Sequence, residues 1–274
     1  MTDRTVEVDL AGGKVRVRVD AGAPFQRRFG RLFPSRTVAS RPTADLEIRW
    51  SRGSGEVRRN GRSIARGRTE ASTALLGEWV ATSVALDKLR SRALLLHAAW
   101  VDGPQGGILL VGAHGSGKST LSLALELRHG RHVLADDVIA LDANGRPRPV
   151  ERPVRIKPGA VALLPELRNL KLDLAPFRAG WPVLIPLRRR ERSPRRAVRA
   201  VFILERRGSG PVRLRPEGEG RGLAALARHV SNFRERPAEA LAALARVVRR
   251  APVWRLSGGT LDERCRTLST FRFR

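Results

Sequence analysis

Apolar and polar positions alternate with period two near the start of the chain. Val6-Glu7-Val8-Asp9-Leu10 and Lys14-Val15-Arg16-Val17-Arg18-Val19 each put their apolar side chains on one face, with Gly12-Gly13 between them. That pattern predicts two strands joined as a hairpin. Asp45-Leu46-Glu47-Ile48-Arg49-Trp50 alternates in the same way, and Gly53 to Gly55 and Asn60-Gly61 punctuate further short strands. Asn-Gly is a strong tight-turn signal because both residues tolerate positive φ. Residues 1 to about 68 therefore read as β-rich. The period then lengthens to a helical one. Over residues 71 to 90, Leu76, Val80 and Val84 recur four apart. Leu75, Trp79, Leu86 and Leu89 widen the stripe, and Ser83 and Asp87 interrupt it. This predicts an amphipathic helix with a structural role.

Beyond residue 90, strand-like and helix-like patterns alternate. Ala93 to Val101 is an apolar run ending at the turn Asp102-Gly103-Pro104. Gly107-Ile108-Leu109-Leu110-Val111 reads as a buried strand, and Thr120 to Leu127 as a helix. His132 to Leu141 reads as strand, acidic pair, strand, followed by a turn at Asn144-Gly145. Residues 151–196 hold several prolines and many arginines. They are expected to be irregular, with one short helix at Ala160 to Leu170, and a long loop of that kind often carries function. Ala200 to Glu205 predicts a buried strand, 218–231 and 237–249 predict helices, and Pro252 to Leu256 a last strand before a short terminal helix. The succession predicts an α/β architecture from residue 91 to residue 274, preceded by a β-rich region over residues 1–90 that ends in the amphipathic helix.

Between the strand at Gly107 to Val111 and the following helix stands Gly112-Ala113-His114-Gly115-Ser116-Gly117-Lys118-Ser119. This octet completes the phosphate-binding pattern G-x-x-x-x-G-K-[ST], the Walker A sequence. Its glycines let backbone N–H groups close around a polyphosphate. Lys118 is placed to reach the β- and γ-phosphates, and the Ser119 hydroxyl to hold Mg²⁺. Thr120 opens the helix, whose positive end faces the phosphates. A nucleotide's polyphosphate and Mg²⁺ are the expected ligands. Asp136 and Asp137 end an apolar strand 18 positions after Lys118 (136 − 118). An acid at a strand end beside such a loop is the usual second support for Mg²⁺. Two adjacent acids allow one to serve the metal and the other to accept a hydroxyl proton. The competing reading is a solvated turn. His97, alone in an apolar run, reads first as a hydrogen-bonded core residue. His114 faces solvent or a neighbouring loop, His129 and His132 favour capping near Gly130, and His229 reads as structural.

Composition narrows the classes. The chain has 274 residues and a single cysteine, Cys265, so an intrachain disulfide and a cysteine-based metal cluster are excluded. No apolar run is long enough to span a bilayer, and the alternating N-terminus does not read as a secretory leader. A cytoplasmic protein with no membrane partner is expected. The formal net charge of +27 would ordinarily point to nucleic acid. The only lysines are Lys14, Lys88, Lys118, Lys157 and Lys171, however, and Ala and Gly are abundant, so a genome-wide arginine bias explains the charge at least as well. The arginines are scattered apart from Arg188-Arg189-Arg190 with Arg192, and Arg195-Arg196. No aromatic ladder accompanies them, and tyrosine is absent from the sequence, which argues against nucleic acid as the partner.

These residues together resemble a known family. Leu96-His97-Ala98-Ala99-Trp100-Val101, then Gly112 to Ser119, then Ala135-Asp136-Asp137-Val138, resemble in order and spacing the catalytic domain of HPr serine kinase/phosphorylase. Arg152 to Pro158, Ala200 to Arg206 and Pro252 to Leu256 look like the smaller HPr-kinase-related proteins, some associated with peptide-modification clusters that include lasso-peptide kinases. The resemblance covers about residues 93 to 257. It implies a phosphoenolpyruvate-carboxykinase-like fold, a twisted mixed sheet with flanking helices. It implies an ATP-dependent kinase that phosphorylates a serine, or a threonine, of a small protein or peptide. It further implies that Asp136 takes the acceptor's proton, that Asp137, Ser119 and Glu151 support Mg²⁺, and that His97 orients the Asp136 side. The family's glycine-rich segment after that glutamate is replaced here by Arg152-Pro153, so reverse phosphorolysis is not expected. Two other classes stay open: a regulatory nucleotide-binding module, and a nucleic-acid-associated NTPase. The oligomeric state also stays open, a homo-oligomer included.

Overall fold

Three tight turns organise the N-terminal sheet, each a residue–glycine pair with both members at positive φ. They are Ala11 (55°) with Gly12 (98°), Arg52 (49°) with Gly53 (75°), and Asn60 (50°) with Gly61 (75°). Positive φ at both central positions gives the turn the twist that adjacent strands require. The computed structural model describes residues 2–33, 35–37, 45–169, 183–187, 197–205 and 210–272. Thr2–Leu10 pairs antiparallel with Gly13–Ala21 from Thr2↔Ala21 to Leu10↔Gly13, so the turn centres on Ala11-Gly12 rather than Gly12-Gly13. Leu46–Ser51 joins parallel to the second strand, and Ser54–Arg59 and Arg62–Gly67 complete the run. With Ser35–Thr37 against the first strand, the sheet has six strands, and Arg62–Gly67 forms one edge. A parallel neighbour needs a crossover. Part of it is the helix Ala23–Gly30, whose Phe25 and Phe29 are buried and which the sequence pattern did not reveal.

The helix Glu70–Arg90 lies across this sheet. It starts at a capping box, with Thr69 accepting from the Ser72 backbone and Ser72 returning the bond. Its buried positions include Val80, Val84 and Leu89 of the expected stripe and extend beyond it to small residues. Ala74, Gly77, Ala81 and Ala85 are buried, whereas Trp79 is 54% exposed. Small residues face the sheet because the backbones come close. A Cβ on Gly55 or Gly67 would lie 1.8 or 2.3 Å from Thr73 Oγ1, and one on Gly77 2.5 Å from Ile48 Cδ1. One core cluster holds the sheet and helix together and also draws in Leu95, Ala140, Val150 and Leu184 from later in the chain.

A second six-stranded sheet carries the octet. Its order is His132–Ala135, Ala98–Asp102, Gly107–Val111, Val198–Leu204, Val253–Ser257 and Arg213–Glu217. The middle three neighbours, Gly107–Val111, Val198–Leu204 and Val253–Ser257, run parallel and the outer pairings are antiparallel. Alternate residues of the buried strands feed two cores. Ile108, Leu110 and Phe202 pack with Leu121 and Leu125 of the helix Lys118–His129 and with Leu261 and Leu268 of the helix Leu261–Thr270. Leu109, Val111 and Ile203 pack with Leu226 of Glu219–Ala227 and with Leu244 and Val247 of Pro237–Arg250. The molecule is thus mixed α/β with helices on both faces of this sheet, and no described helix is long and apolar enough to cross a membrane.

The apolar run before the octet divides at His97. Leu94–Leu96 pairs with Ile139–Leu141 in a small sheet, while Ala98–Asp102 belongs to the large one. The segment expected to be irregular contributes Val154–Ile156 and Val183–Ile185, which pair with each other. The short helix expected at Ala160 to Leu170 is two separate pieces, Pro158–Val161 and Pro165–Asn169. Leu170 lies outside the described residues, as do Lys171, Arg206 and the arginine runs at 188–190, 192 and 195–196.

Candidate functional site

The octet forms the turn between Gly107–Val111 and the helix Lys118–His129. Gly115 (φ 79°) and Gly117 (φ 93°) take left-handed backbone, a conformation glycine adopts without a Cβ penalty. Gly112 is required for space: a Cβ there would lie 2.7 Å from both Leu204 O and Ser116 Oγ. Ala113, His114 and Gly115 are exposed at the crest, and Ser116 is buried. Lys118 is 6% exposed and donates from Nζ to Gly112 O (2.8 Å) and Ala113 O (3.2 Å), so its ammonium sits inside the loop. Burial lowers the Lys118 pKa, against the opposing pull of Asp136 and Asp137. His114 Nε2 lies 2.8 Å from Lys157 Nζ, which fits an imidazole accepting from the lysine. Thr120 is buried in the first turn of the helix.

Asp136 and Asp137 stand beside this loop in opposite environments, for a local reason. The pairing of His132–Ala135 with Ala98–Asp102 skips Leu134, so the strand bulges just before the acids. Asp137 then takes left-handed backbone at φ 74°. A bulge re-aims side chains, and left-handed backbone at a non-glycine residue is a conformation that the surroundings must hold. Asp136 is 2% exposed. Burial, joined by the Asp137 charge, pushes its carboxyl up to about 6, and the Ser119 hydroxyl bond and the charges of Arg152 and Lys118 offset part of the rise. Its Oδ1 is buried with no hydrogen-bond partner among the described residues, as is Ser116 Oγ. The Asp137 side chain is 43% exposed. Its Oδ1 lies 3.1 Å from His97 Nδ1, and its Oδ2 accepts from Arg152 Nη1 at 2.8 Å. Burial alone would raise this carboxyl. The His97 bond and the charges of Arg152, His97 and Arg155 outweigh it and hold the group well below the usual carboxylate range.

His97 is thus in contact with Asp137, the neighbour of the acid whose side it was expected to orient. Its Nδ1 faces two acceptors, Asp137 Oδ1 and Asp137 O (2.8 Å), so the ring proton belongs on that nitrogen. The break between the two sheets explains the placement. The His97 backbone N–H leaves the ladder and donates to His229 O at 2.8 Å, which turns the side chain toward the acids. His229, read from sequence as structural, is within electrostatic reach of the site. Burial first, then the charges of Lys118, His97 and Arg228, lowers its imidazole pKa.

Glu151 is half-buried, and among the described residues no group of three or more His, Cys, Asp or Glu side chains could hold a metal. The residue that reaches Asp137 from that segment is its neighbour Arg152, 4% exposed. Arg152 Nη2 in turn lies 3.3 Å from Glu78 Oε1 on the helix Glu70–Arg90. Glu78 has no exposed surface and also pairs with Arg155, accepting from its Nε at 3.1 Å. Glu78 was not singled out in the sequence, and Arg152 only as part of the resemblance, not as a partner of the acids. An acid beside Gly77 on a helix flank, and an arginine between Val150 and Pro153-Val154, were the signals available.

The donor set beside the octet fits a small divalent cation. The Ser119 hydroxyl and the Asp136 carboxylate are hard oxygen ligands in contact, and the orphaned Asp136 Oδ1 has coordination capacity left over. No family model matches the chain, and no curated protein matches it.

Proposed function

We propose that this protein is an ATP-dependent kinase of a P-loop, phosphoenolpyruvate-carboxykinase-like fold that transfers the γ-phosphate to a serine or threonine hydroxyl of a small protein or peptide. One observation carries the reading. Two adjacent carboxyls beside a phosphate-type loop are split between a buried environment against Ser119 and Lys118 and a half-exposed one against His97 and Arg152.

Each residue then has a task. The loop's backbone N–H groups and Lys118 bind the β- and γ-phosphates, with Lys118 exchanging its contacts to Gly112 O and Ala113 O for phosphate oxygens. Ser119 and Asp136 would hold Mg²⁺. That ion, when bound, neutralises charge on the β- and γ-phosphate oxygens. Asp137 is open to an incoming hydroxyl, and its two fixed partners leave it ionised and oriented. It accepts the acceptor's proton as the new O–P bond forms and the bond from the γ-phosphorus to the β–γ bridging oxygen breaks, the bond electrons leaving on the β-phosphate. Transfer of this kind is loose, so a weakly basic carboxylate that orients the hydroxyl and takes its proton late is sufficient. These roles are the reverse of those implied by the resemblance, which gave the base to Asp136 and the metal to Asp137.

The experiment is transfer from γ-labelled ATP with Mg²⁺ to candidate peptides containing serine. Label on a hydroxyl residue, lost in Lys118→Ala and in Asp137→Asn, is the expected outcome. Nucleotide binding without transfer to any peptide would favour a regulatory module instead. Salt-sensitive binding of DNA or RNA that changes nucleotide turnover would favour a nucleic-acid role.

A further inference from the structure

The chain of contacts Glu78–Arg152–Asp137 joins three separate parts of the fold and ends at His97. Glu78 belongs to the helix that covers the N-terminal sheet, Arg152 to the segment after the small sheet, and Asp137 to the strand end beside the octet. Glu78 is fully buried, and its Oε1 accepts from Thr82 Oγ1 at 2.9 Å. Removing a carboxylate and a guanidinium from water costs several kcal/mol per ion, and apolar residues of equal volume would hold two layers together at least as well. Stability therefore does not account for this cluster. Its geometry leads to the one strained backbone position in the site. Asp137 at φ 74° is held from one side by His97 and from the other by Arg152, and Arg152 has Glu78 as its second ionic partner.

We propose that Glu78 is a positioning residue of the site, acting through Arg152 to fix the Asp137 carboxylate, so that the N-terminal sheet and its helix are a working part of the catalytic apparatus. The consequence for turnover rests on the kinase reading above, whereas the positional claim does not.

The test uses the full chain and two readouts. The first needs no nucleotide: the Nδ1–H signal of the His97 ring in ¹⁵N-labelled protein reports its bond to Asp137. The signal is expected in wild type, and shifted or lost in Glu78→Gln and in Arg152→Met while the remaining backbone spectrum stays native. The second is the Kd for MgATP with the rate of phosphate release from it. Kd is expected to stay within about threefold, because Lys118, Ser119 and Asp136 are untouched, while the rate falls roughly tenfold or more. Arg152→Lys should recover part of the rate. Glu78→Gln should add no further loss in an Arg152→Met background, as expected for residues in one network. If Glu78→Gln does not fold, Thr82→Val loosens the same carboxylate and should still shift the ring signal. An unchanged His97 signal in the folded variant, or losses that multiply in the double variant, overturns the proposal. Failure of wild type to bind MgATP sinks the kinase reading alone, and the ring signal still decides the role of Glu78.

Discussion

Asp136 shows what a buried ionisable group costs. Its carboxyl is raised above the unfolded value, so its contribution to stability is fully present below about pH 3.8 and is lost as the pH rises through about 6. Asp136→Asn should then be more stable than wild type at pH 8, by about 1–3 kcal/mol, and the gap should narrow at pH 5 and close only below about pH 3.8. Thermal melts at the two pH values check this, and the same variant should lose MgATP turnover. Metal binding needs the ionised form, so titrating MgATP near pH 6 should release protons. Calorimetry in buffers of different ionisation enthalpy reads that release, which Asp136→Asn should abolish. The octet and the acidic pair were legible in the sequence because their spacing is local. Which acid faces the loop was not legible. It depends on the bulge at Leu134 and the left-handed backbone at Asp137, and neither leaves a residue signature.

At the scale of elements, close approach decides more than apolar stripes do. The Glu70–Arg90 helix was legible by period, and Val80, Val84 and Leu89 of its stripe are buried, but the glycine and alanine positions that complete the contact were not read and Trp79 is exposed. Gly55→Ala would drive a Cβ to 1.8 Å from Thr73 Oγ1. It should cost about 1–3 kcal/mol in chemical denaturation, as overpacked cores do. Gly12→Ala, whose Cβ would meet nothing within 4 Å, should cost less and only through its positive φ. The end of the same helix is tied by Asn232, 1% exposed, which accepts from Leu95 N–H and donates to Arg90 O and Ala93 O. Nothing in the local sequence marks that asparagine, because its partners lie more than a hundred positions earlier. Asn232→Ala should cost about 1–3 kcal/mol for each buried partner it leaves unsatisfied, read from the shift of the denaturation midpoint.

Across the whole molecule the two sheets share more than a covalent connection. The first core cluster takes in Leu95, Ala140, Val150 and Leu184, and Glu78 binds Arg152 and Arg155 across the boundary. A single calorimetric transition is expected, and a separate early melt of the N-terminal sheet would contradict it. The α/β alternation after residue 90 was legible in the sequence because strands and helices differ in period. The coupling between the regions was not, since it rests on residues far apart in the chain. The exposed margin at Arg62–Gly67 bears on how the molecule behaves in company. Unpaired backbone along such a margin is a template on which other chains can stack. Here it carries Arg62 and Arg66, both exposed, and the chain as a whole bears +27. Two such margins meeting would bring like charges together, a repulsion that opposes the growth of filaments. Losing that repulsion, as in a double change of Arg62 and Arg66 to Thr, should make concentrated solutions scatter light where the parent stays clear.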